Sequence, residues 1–118
     1  MTATFIRRGE IYWVDLSGAR GAETNTKVRP ALVIQNDMGN QYSPTTIVAP
    51  VTSMKPRSKI YPFEVRVTPQ ESGLPITSKI LLNQIRTVVK ARLTTRIGQL
   101  STPKMLDVER AVKVSLAL

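Results

Sequence analysis

The sequence predicts a mainly β fold of the α+β class, a small β-barrel followed by one C-terminal α-helix. Short segments rich in strand-forming residues follow one another at close spacing, which is typical of small barrels. Clusters of Gly, Pro, Asn, Asp and Ser separate these segments. Only the segment after residue 101 changes to the apolar spacing of a helix. The length of 118 residues, 42% of them hydrophobic, predicts a single domain over residues 1–118.

The predicted strands alternate with turns and loops. The strands are residues 10–16, 29–36, 45–52, 61–67, 79–89 and 95–100, of which 79–89 is either one bent strand or two short ones. Segment 61–67, YPFEVRV, alternates apolar and charged side chains as a half-exposed strand does. The predicted connections are the turns 37–44 (DMGNQYSP) and 69–75 (PQESGLP) and the loops 17–26 and 54–59.

The C-terminal segment has the signals of a helix. Thr102 is a candidate N-cap and Pro103 a candidate first helical residue. Apolar residues then recur at helical spacing, which predicts one stripe packed against the barrel: Met105, Val108, Val112 and Leu116.

The charge predicts a polyanionic partner. With 17 basic and 8 acidic residues, the chain has a formal charge of +9 and a pI near 10.5. Clustered Lys and Arg neutralise phosphates and accelerate association with acidic partners. Nucleic acid or an acidic protein is therefore the expected partner, and a merely solvated basic surface is the alternative.

The chain contains neither cysteine nor histidine, which excludes several kinds of chemistry. Disulfides, Ser-His and Cys-His triads and histidine-based RNA cleavage are impossible, and a structural zinc site is not expected. The carboxylates are scattered along the sequence, so any catalysis is expected to need no metal or other cofactor. No apolar stretch approaches the length of a membrane span, and residues 1–11 do not resemble a signal peptide, so a cytoplasmic protein without membrane contact is expected.

Arg29 and Thr52 are expected to meet at the open end of a hairpin. Arg29 precedes Pro30, which favours extended backbone, and a guanidinium held there suits phosphate recognition. If the hairpin tip lies between Asn40 and Gln41, Arg29 faces Thr52 with Cβ atoms roughly 5 Å apart. The alternative is structural: Arg29 pairs with a carboxylate such as Glu23, and Thr52 merely ends a strand.

Five stretches in order resemble the MazF/PemK toxin family, also called mRNA interferases: GEIYWVDL, GAETNTKVRPALVIQND, the threonine after IVAPV, YPFEV and ILLNQIRTV. The resemblance implies a small SH3-like barrel with a C-terminal helix, a homodimer and a cognate antitoxin. It also implies a toxin that cleaves single-stranded RNA, mRNA included, at short sequences without the ribosome or a metal. An acidic, partly disordered antitoxin segment would suit the basic surface.

The resemblance also implies roles for individual residues. Arg29 and Thr52 match the catalytic pair, Glu23 a catalytic position in a loop, and Gln84 and Arg86 positions near the RNA path. In the implied reaction the 2′-hydroxyl attacks phosphorus, leaving a 2′,3′-cyclic phosphate and a 5′-hydroxyl. Arg29 would neutralise charge on the phosphorane and Thr52 would hydrogen-bond a non-bridging oxygen. The proton acceptor stays open between Glu23, an Arg29 of unusual pKa, and water.

Further RNA contacts are predicted from position. Ser53 follows Thr52 directly, and Lys55, Arg57 and Lys59 either track the RNA backbone or form a solvated loop. Asn36 and Gln84 are candidates for hydrogen bonds to splayed bases, although Asn36, like Asp37, is also a turn former. The aromatic residues are assigned to the core or to contacts between two copies, rather than to base stacking: Tyr12, Trp13, Tyr61 and Phe63.

Two other functions are compatible with the predicted fold. Relatives of this fold inhibit DNA gyrase through a C-terminal tryptophan-glycine pair, but this chain ends in SLAL and its single tryptophan is Trp13. The other alternative is a barrel that binds nucleic acid without cleaving it.

Overall fold

The computed structural model describes residues 5–17 and 28–118. Within these residues the chain forms seven strands, three α-helices and one 3₁₀ turn, Lys90–Arg92. In chain order the strands and α-helices are β1 Glu10–Asp15, β2 Val28–Val33, α1 Asp37–Tyr42, β3 Thr45–Ser53, β4 Glu64–Val67, α2 Pro69–Ser72, β5 Ser78–Leu81, β6 Arg86–Val89, β7 Leu93–Gln99 and α3 Thr102–Leu116. Every predicted strand is present, and segment 79–89 forms two short strands.

The strands pair in antiparallel ladders in the order β4-β5-β3-β2-β1-β7, with β6 beside β3. β3 is nine residues long and serves three partners: its start pairs with β6, its middle with β2 and its end with β5. The mainly β fold with a C-terminal helix is therefore confirmed. Among the described residues the ladder does not close, since β4 and β7 remain its free edges.

Both faces of the sheet are packed, because alternate strand residues point to opposite sides. One face carries Ile11 and Leu32 into a core that α3 completes with Met105 and Val108. The other face belongs to a second buried cluster, Ile6, Tyr12, Val14, Leu16, Ala31, Val33, Val48, Val88 and Leu93. With both faces covered, polar groups become accessible mainly where the strands end.

Helix α2 spans the gap between the two free edges, because it follows β4 and packs against β7. Two glycines allow this close crossing. A Cβ on Gly98 would overlap the carbonyl oxygen of Ser72. Gly73 has a φ of +83°, and a Cβ there would lie 2.7 Å from the carbonyl oxygen of Ile97.

Gly98→Ala is therefore expected to lower the free energy of unfolding by about 2–3 kcal/mol, because backbone must move to admit the methyl group. Urea denaturation followed by circular dichroism measures the change. Thr95→Ala, an exposed change on the same strand, is the control and should alter stability by less than about 0.5 kcal/mol. Equal stabilities for the two variants would contradict the close crossing of α2 and β7.

A buried carboxylate ties β1 to β7. Glu10 accepts hydrogen bonds from the Arg7 amide at 2.7 Å, the Tyr12 hydroxyl at 3.0 Å and the Arg96 guanidinium at 2.7 Å. Burial, the hydrogen bond to Glu10 and the charge of Glu10 raise the pKa of Tyr12 to about 12. Glu10 thus has a structural task, which removes it as a candidate for catalysis.

The predicted turn 37–44 is wrong as a turn, because α1 occupies most of it. Asn36 starts this helix: its side-chain oxygen accepts a hydrogen bond from the Gly39 amide at 2.8 Å. The predicted turn 69–75 likewise contains α2, whose start is held by reciprocal hydrogen bonds between Thr68 and Glu71.

The start of α3 is shifted by one residue from the prediction. Ser101, not Thr102, is the N-cap, since its hydroxyl accepts a hydrogen bond from the Lys104 amide at 3.2 Å. The predicted apolar stripe ends early: Leu116 is 49% exposed, and Ala111 is buried instead. A small residue at 111 lets the helix approach the sheet closely.

Candidate active site

The predicted register between β2 and β3 is confirmed over three pairs, Ala31 with Pro50, Leu32 with Ala49 and Val33 with Val48. The register is kept although the connection contains α1, since the two members of each pair lie at equal distances in sequence from the expected tip between Asn40 and Gln41. Continued by two residues, the same register sets Arg29 opposite Thr52.

The two strands separate beyond Ala31 and Pro50, where their ladder ends. From there Arg29 pairs with Val14 on β1, whereas Thr52 pairs with Lys79 on β5. Separation of the strands opens a pocket of about 390 Å³ that both Arg29 and Thr52 line. The structure therefore brings together the two residues that the sequence singled out.

One part of the pocket lining is polar. It consists of Arg29, Thr52, Ser53 and Ser78. Among the described residues that line this pocket, Arg29 is the only charged one. An exposed guanidinium beside hydroxyl groups can bind a phosphate through charge-assisted hydrogen bonds.

The rest of the lining is apolar and comes from three parts of the chain. It consists of Trp13, Val28, Pro30, Val51, Leu74, Pro75 and Ile76. A ligand seated against these walls would displace water from them, which would strengthen its interaction with Arg29.

The lysine next to Thr52 on β5 is already neutralised. Lys79 Nζ lies 3.0 Å from Glu64 Oε1, and both side chains are largely buried. It also donates to the Lys59 carbonyl at 3.1 Å and lies 5.9 Å from the centre of the Tyr61 ring. Lys79 therefore holds the end of the basic loop, and Arg29 is the cation that the described part of the chain offers to a ligand in the pocket.

Most of the other predicted RNA contacts lie outside the lining of this pocket, and Ser53 is the exception among the described residues. Lys55, Arg57 and Lys59 are exposed in the loop that leaves the pocket after β3. Gln84 is exposed between β5 and β6, and the Arg86 guanidinium donates to the Leu16 carbonyl at 3.3 Å.

Two further predicted site residues are also absent from the described pocket lining. Asn36 caps α1 beyond the far end of β2, opposite the end that carries Arg29. Glu23 and most of the loop 17–26 lie outside the described residues, and so does the alternative pairing of Arg29 with Glu23. No carboxylate within residues 5–17 and 28–118 forms an ion pair with Arg29.

The aromatic residues differ from one another in environment. Tyr12 is buried, as predicted, and Tyr61 stacks on Phe63 with ring centres 5.6 Å apart. Trp13 is not a core residue, since it is 39% exposed and lines the pocket. The sequence does not predict this wall, because Trp13 lies two residues from the buried Ile11 in a strand whose other members are mostly apolar. Its position therefore resembles that of a core residue.

Neither a metal-binding cluster nor a membrane-spanning helix is found among the described residues. No three His, Cys, Asp or Glu side chains in this part of the chain are grouped as a metal site. No helix in the same residues is long and apolar enough to cross a membrane.

Comparison with known proteins identifies the class. Residues 7–116 match the family described as PemK-like, MazF-like toxin of type II toxin-antitoxin system. The chain belongs to this toxin family.

One relative is Endoribonuclease EndoA of Bacillus subtilis (strain 168), which is 45% identical over 113 residues that cover 96% of each chain. A mycobacterial endoribonuclease in complex with its cognate antitoxin has a TM-score of 0.78 at 21% identity, covering 96% of each chain. MazF of Deinococcus radiodurans has a TM-score of 0.75 at 23% identity, covering 98% of this chain and all of that one. At these identities the two structures establish the shared fold.

Proposed function

We propose that this chain, a single domain over residues 1–118, is a type II toxin that cleaves single-stranded RNA, mRNA included, at specific sequences. The enzyme is an endoribonuclease that needs neither the ribosome nor a metal ion. The observation that carries the proposal is the pocket shared by Arg29 and Thr52 in a chain of this toxin family. The name of the Bacillus subtilis relative supports the reaction class.

The RNA supplies its own nucleophile in the proposed reaction. The 2′-oxygen forms a bond to the adjacent phosphorus, and the bond from phosphorus to the 5′-oxygen of the next nucleotide breaks. The 2′-hydroxyl loses a proton and the leaving 5′-oxygen gains one. The products are therefore a 2′,3′-cyclic phosphate and a 5′-hydroxyl.

Arg29 and Thr52 act on the charge that develops at phosphorus. The guanidinium of Arg29 neutralises the equatorial oxygens of the phosphorane, and the hydroxyl of Thr52 donates to a non-bridging oxygen. The apolar walls of the pocket support this assignment, because a phosphate held against them is partly shielded from water, and this strengthens both interactions.

Proton transfer has three candidate acceptors. Glu23 is the carboxylate nearest to Arg29 in the sequence before β2, and a carboxylate can accept a proton at neutral pH, whereas a guanidinium already carries its proton. Arg29 itself and a water molecule are the others. Comparison of pH–rate profiles for the wild type and Glu23→Gln separates Glu23 from the other two.

The RNA is proposed to leave the pocket along the basic loop. Ser53 extends the polar lining from Thr52, and Lys55 and Arg57 follow on the exposed chain. Gln84 and Arg86 are proposed contacts on the β5–β6 side. Asn36 is kept as a more distant contact, through the amide nitrogen that its helix-capping role leaves available.

The proposed partners are single-stranded RNA, a second copy of the chain and a cognate acidic antitoxin. The formal charge of +9 supports both anionic partners. The mycobacterial relative solved with its cognate antitoxin supports the third. The proposed place of action is the cytoplasm, where mRNA lies.

The test is digestion of a long RNA in EDTA, followed by mapping of new 5′-hydroxyl ends. We expect cuts at one short motif, unaffected by the chelator. Cleavage that stops in EDTA and returns with Mg²⁺ would overturn the metal-free mechanism. Binding without product would favour the non-catalytic barrel, and inhibition of gyrase supercoiling without RNA cleavage would favour the gyrase poison.

A further inference from the structure

Trp13 occupies an unusual position for a tryptophan in a packed sheet. Its side chain is more exposed than any other in β1, whereas Tyr12 and Val14 on either side are buried. Across the β1–β2 ladder it pairs with Pro30, the residue next to Arg29. A large indole is thus presented at the side of the proposed phosphate site.

The opposite wall of the pocket is apolar and held in place. It consists of Leu74, Pro75 and Ile76, in the connection between α2 and β5. The Ser78 hydroxyl donates to the Ile76 carbonyl at 2.8 Å, and the Leu74 amide donates to the Ser72 hydroxyl at 3.0 Å. The Met54 amide donates to the Thr77 carbonyl at 3.0 Å, which joins this wall to the end of β3.

We propose that Trp13 and this wall form a base-binding subsite for a nucleotide that flanks the scissile phosphate. The inference rests on the proposed function, because it takes Arg29 and Thr52 as the phosphate site. Flat apolar surfaces beside a guanidinium match a nucleotide, whose base is an aromatic plane and whose phosphate is an anion. The pocket volume of about 390 Å³ lies within the range of pockets that hold small ligands.

Trp13 contributes affinity and position in this subsite, whereas base identity is read elsewhere. Stacking on an aromatic ring tolerates any base, because every base has a π face. Hydrogen-bonding groups at the rim of the pocket, such as the Ser53 hydroxyl, are placed to distinguish one base from another.

The fluorescence of Trp13 provides a direct readout, since the chain contains one tryptophan. The probe is an oligonucleotide of the mapped cut sequence with 2′-deoxyribose at the attacked nucleotide, which prevents cleavage. We expect saturable quenching of the emission on binding. Abasic sugars at both positions flanking the phosphate should abolish the quenching and weaken binding on the order of tenfold.

Variants of Trp13 provide the second measurement. Trp13→Ala should weaken binding of the probe on the order of tenfold, and Trp13→Phe should retain most of the affinity because the ring remains. Tyr42→Ala removes an exposed aromatic residue on α1, beyond the far end of β2, and should leave the affinity unchanged. Unchanged binding in Trp13→Ala, or equal quenching by intact and abasic probes, would overturn the subsite.

Failure of the subsite and failure of the proposed function give different results. RNA cleavage without quenching retains the endoribonuclease and rejects the subsite. If no RNA is cut, a deoxyoligonucleotide of mixed sequence replaces the probe, and a fully abasic strand of the same length is its control. Quenching by the intact strand but not by the abasic strand then supports the base site in a protein that does not cleave RNA. Emission that depends on protein concentration but not on the probe would assign Trp13 to a contact between copies and reject the subsite.

Discussion

Arg29→Ala is expected to reduce the rate of RNA cleavage by about 100-fold or more while leaving the fold intact. Arg29 supplies the charge in the pocket lining, and Lys79, the nearest cation on β5, is already paired with Glu64. No other described residue of the lining can therefore neutralise the phosphorane. The side chain is exposed at the start of a strand, so its truncation removes little packing.

The measurement is the single-turnover cleavage rate on the mapped RNA in EDTA, with circular dichroism as the test of folding. Arg29→Lys should recover part of the rate, because it restores the charge without the two-pronged geometry of a guanidinium. Arg110→Ala is the matched control: this arginine is exposed on α3 and lies 3.2 Å from Asp107, remote in sequence from both strands of the pocket. Undiminished cleavage by Arg29→Ala at matched purity would reject the site.

Thr52→Val is expected to slow cleavage by about 100-fold, because it removes one hydrogen-bond donor to the developing charge. Valine keeps the β-branched shape, so the pairing of this residue with Lys79 on β5 should persist. The result separates a chemical role of the hydroxyl from the structural alternative, in which threonine merely ends a strand.

Thr52→Ser gives the sharper comparison, since serine retains the hydroxyl and loses the methyl group. We expect this variant to cleave within about tenfold of the wild type, far above Thr52→Val. Thr95→Val, on exposed β7, controls for the loss of a surface hydroxyl. If the valine and serine variants cleave equally well, the hydroxyl of Thr52 has no part in the reaction.

The register of β2 and β3 was predictable although their connection was not. The expected tip between Asn40 and Gln41 constrains the register, because paired residues lie at equal distances in sequence from it. The connection has no such constraint: DMGNQYSP is compatible with a turn, and the capping hydrogen bond from Gly39 to Asn36 favours a short helix. The sequence predicts Asn36 as a possible base contact because it does not predict α1. In the structure the side-chain oxygen of Asn36 starts that helix.

The pocket was only half predictable. Arg29 and Thr52 stand out in the sequence because register counting places both at the open end of one hairpin and because the family resemblance implies that they are the catalytic pair. Leu74, Pro75 and Ile76 carry no such signal, since PQESGLP reads as a turn wherever it lies. They line the pocket because β5 pairs with the end of β3, which brings the chain just before β5 opposite Trp13.

The sequence by itself determined the fold class, the strands, the C-terminal helix and the register of β2 and β3. These features follow from local periodicity, local backbone preference and the burial of alternate residues, all of which short segments encode. Only the tertiary structure decided that Trp13 is exposed, that Lys79 is neutralised and that an apolar wall faces the arginine. Each of these depends on which distant strands pair, and that choice is made by the packing of the whole sheet.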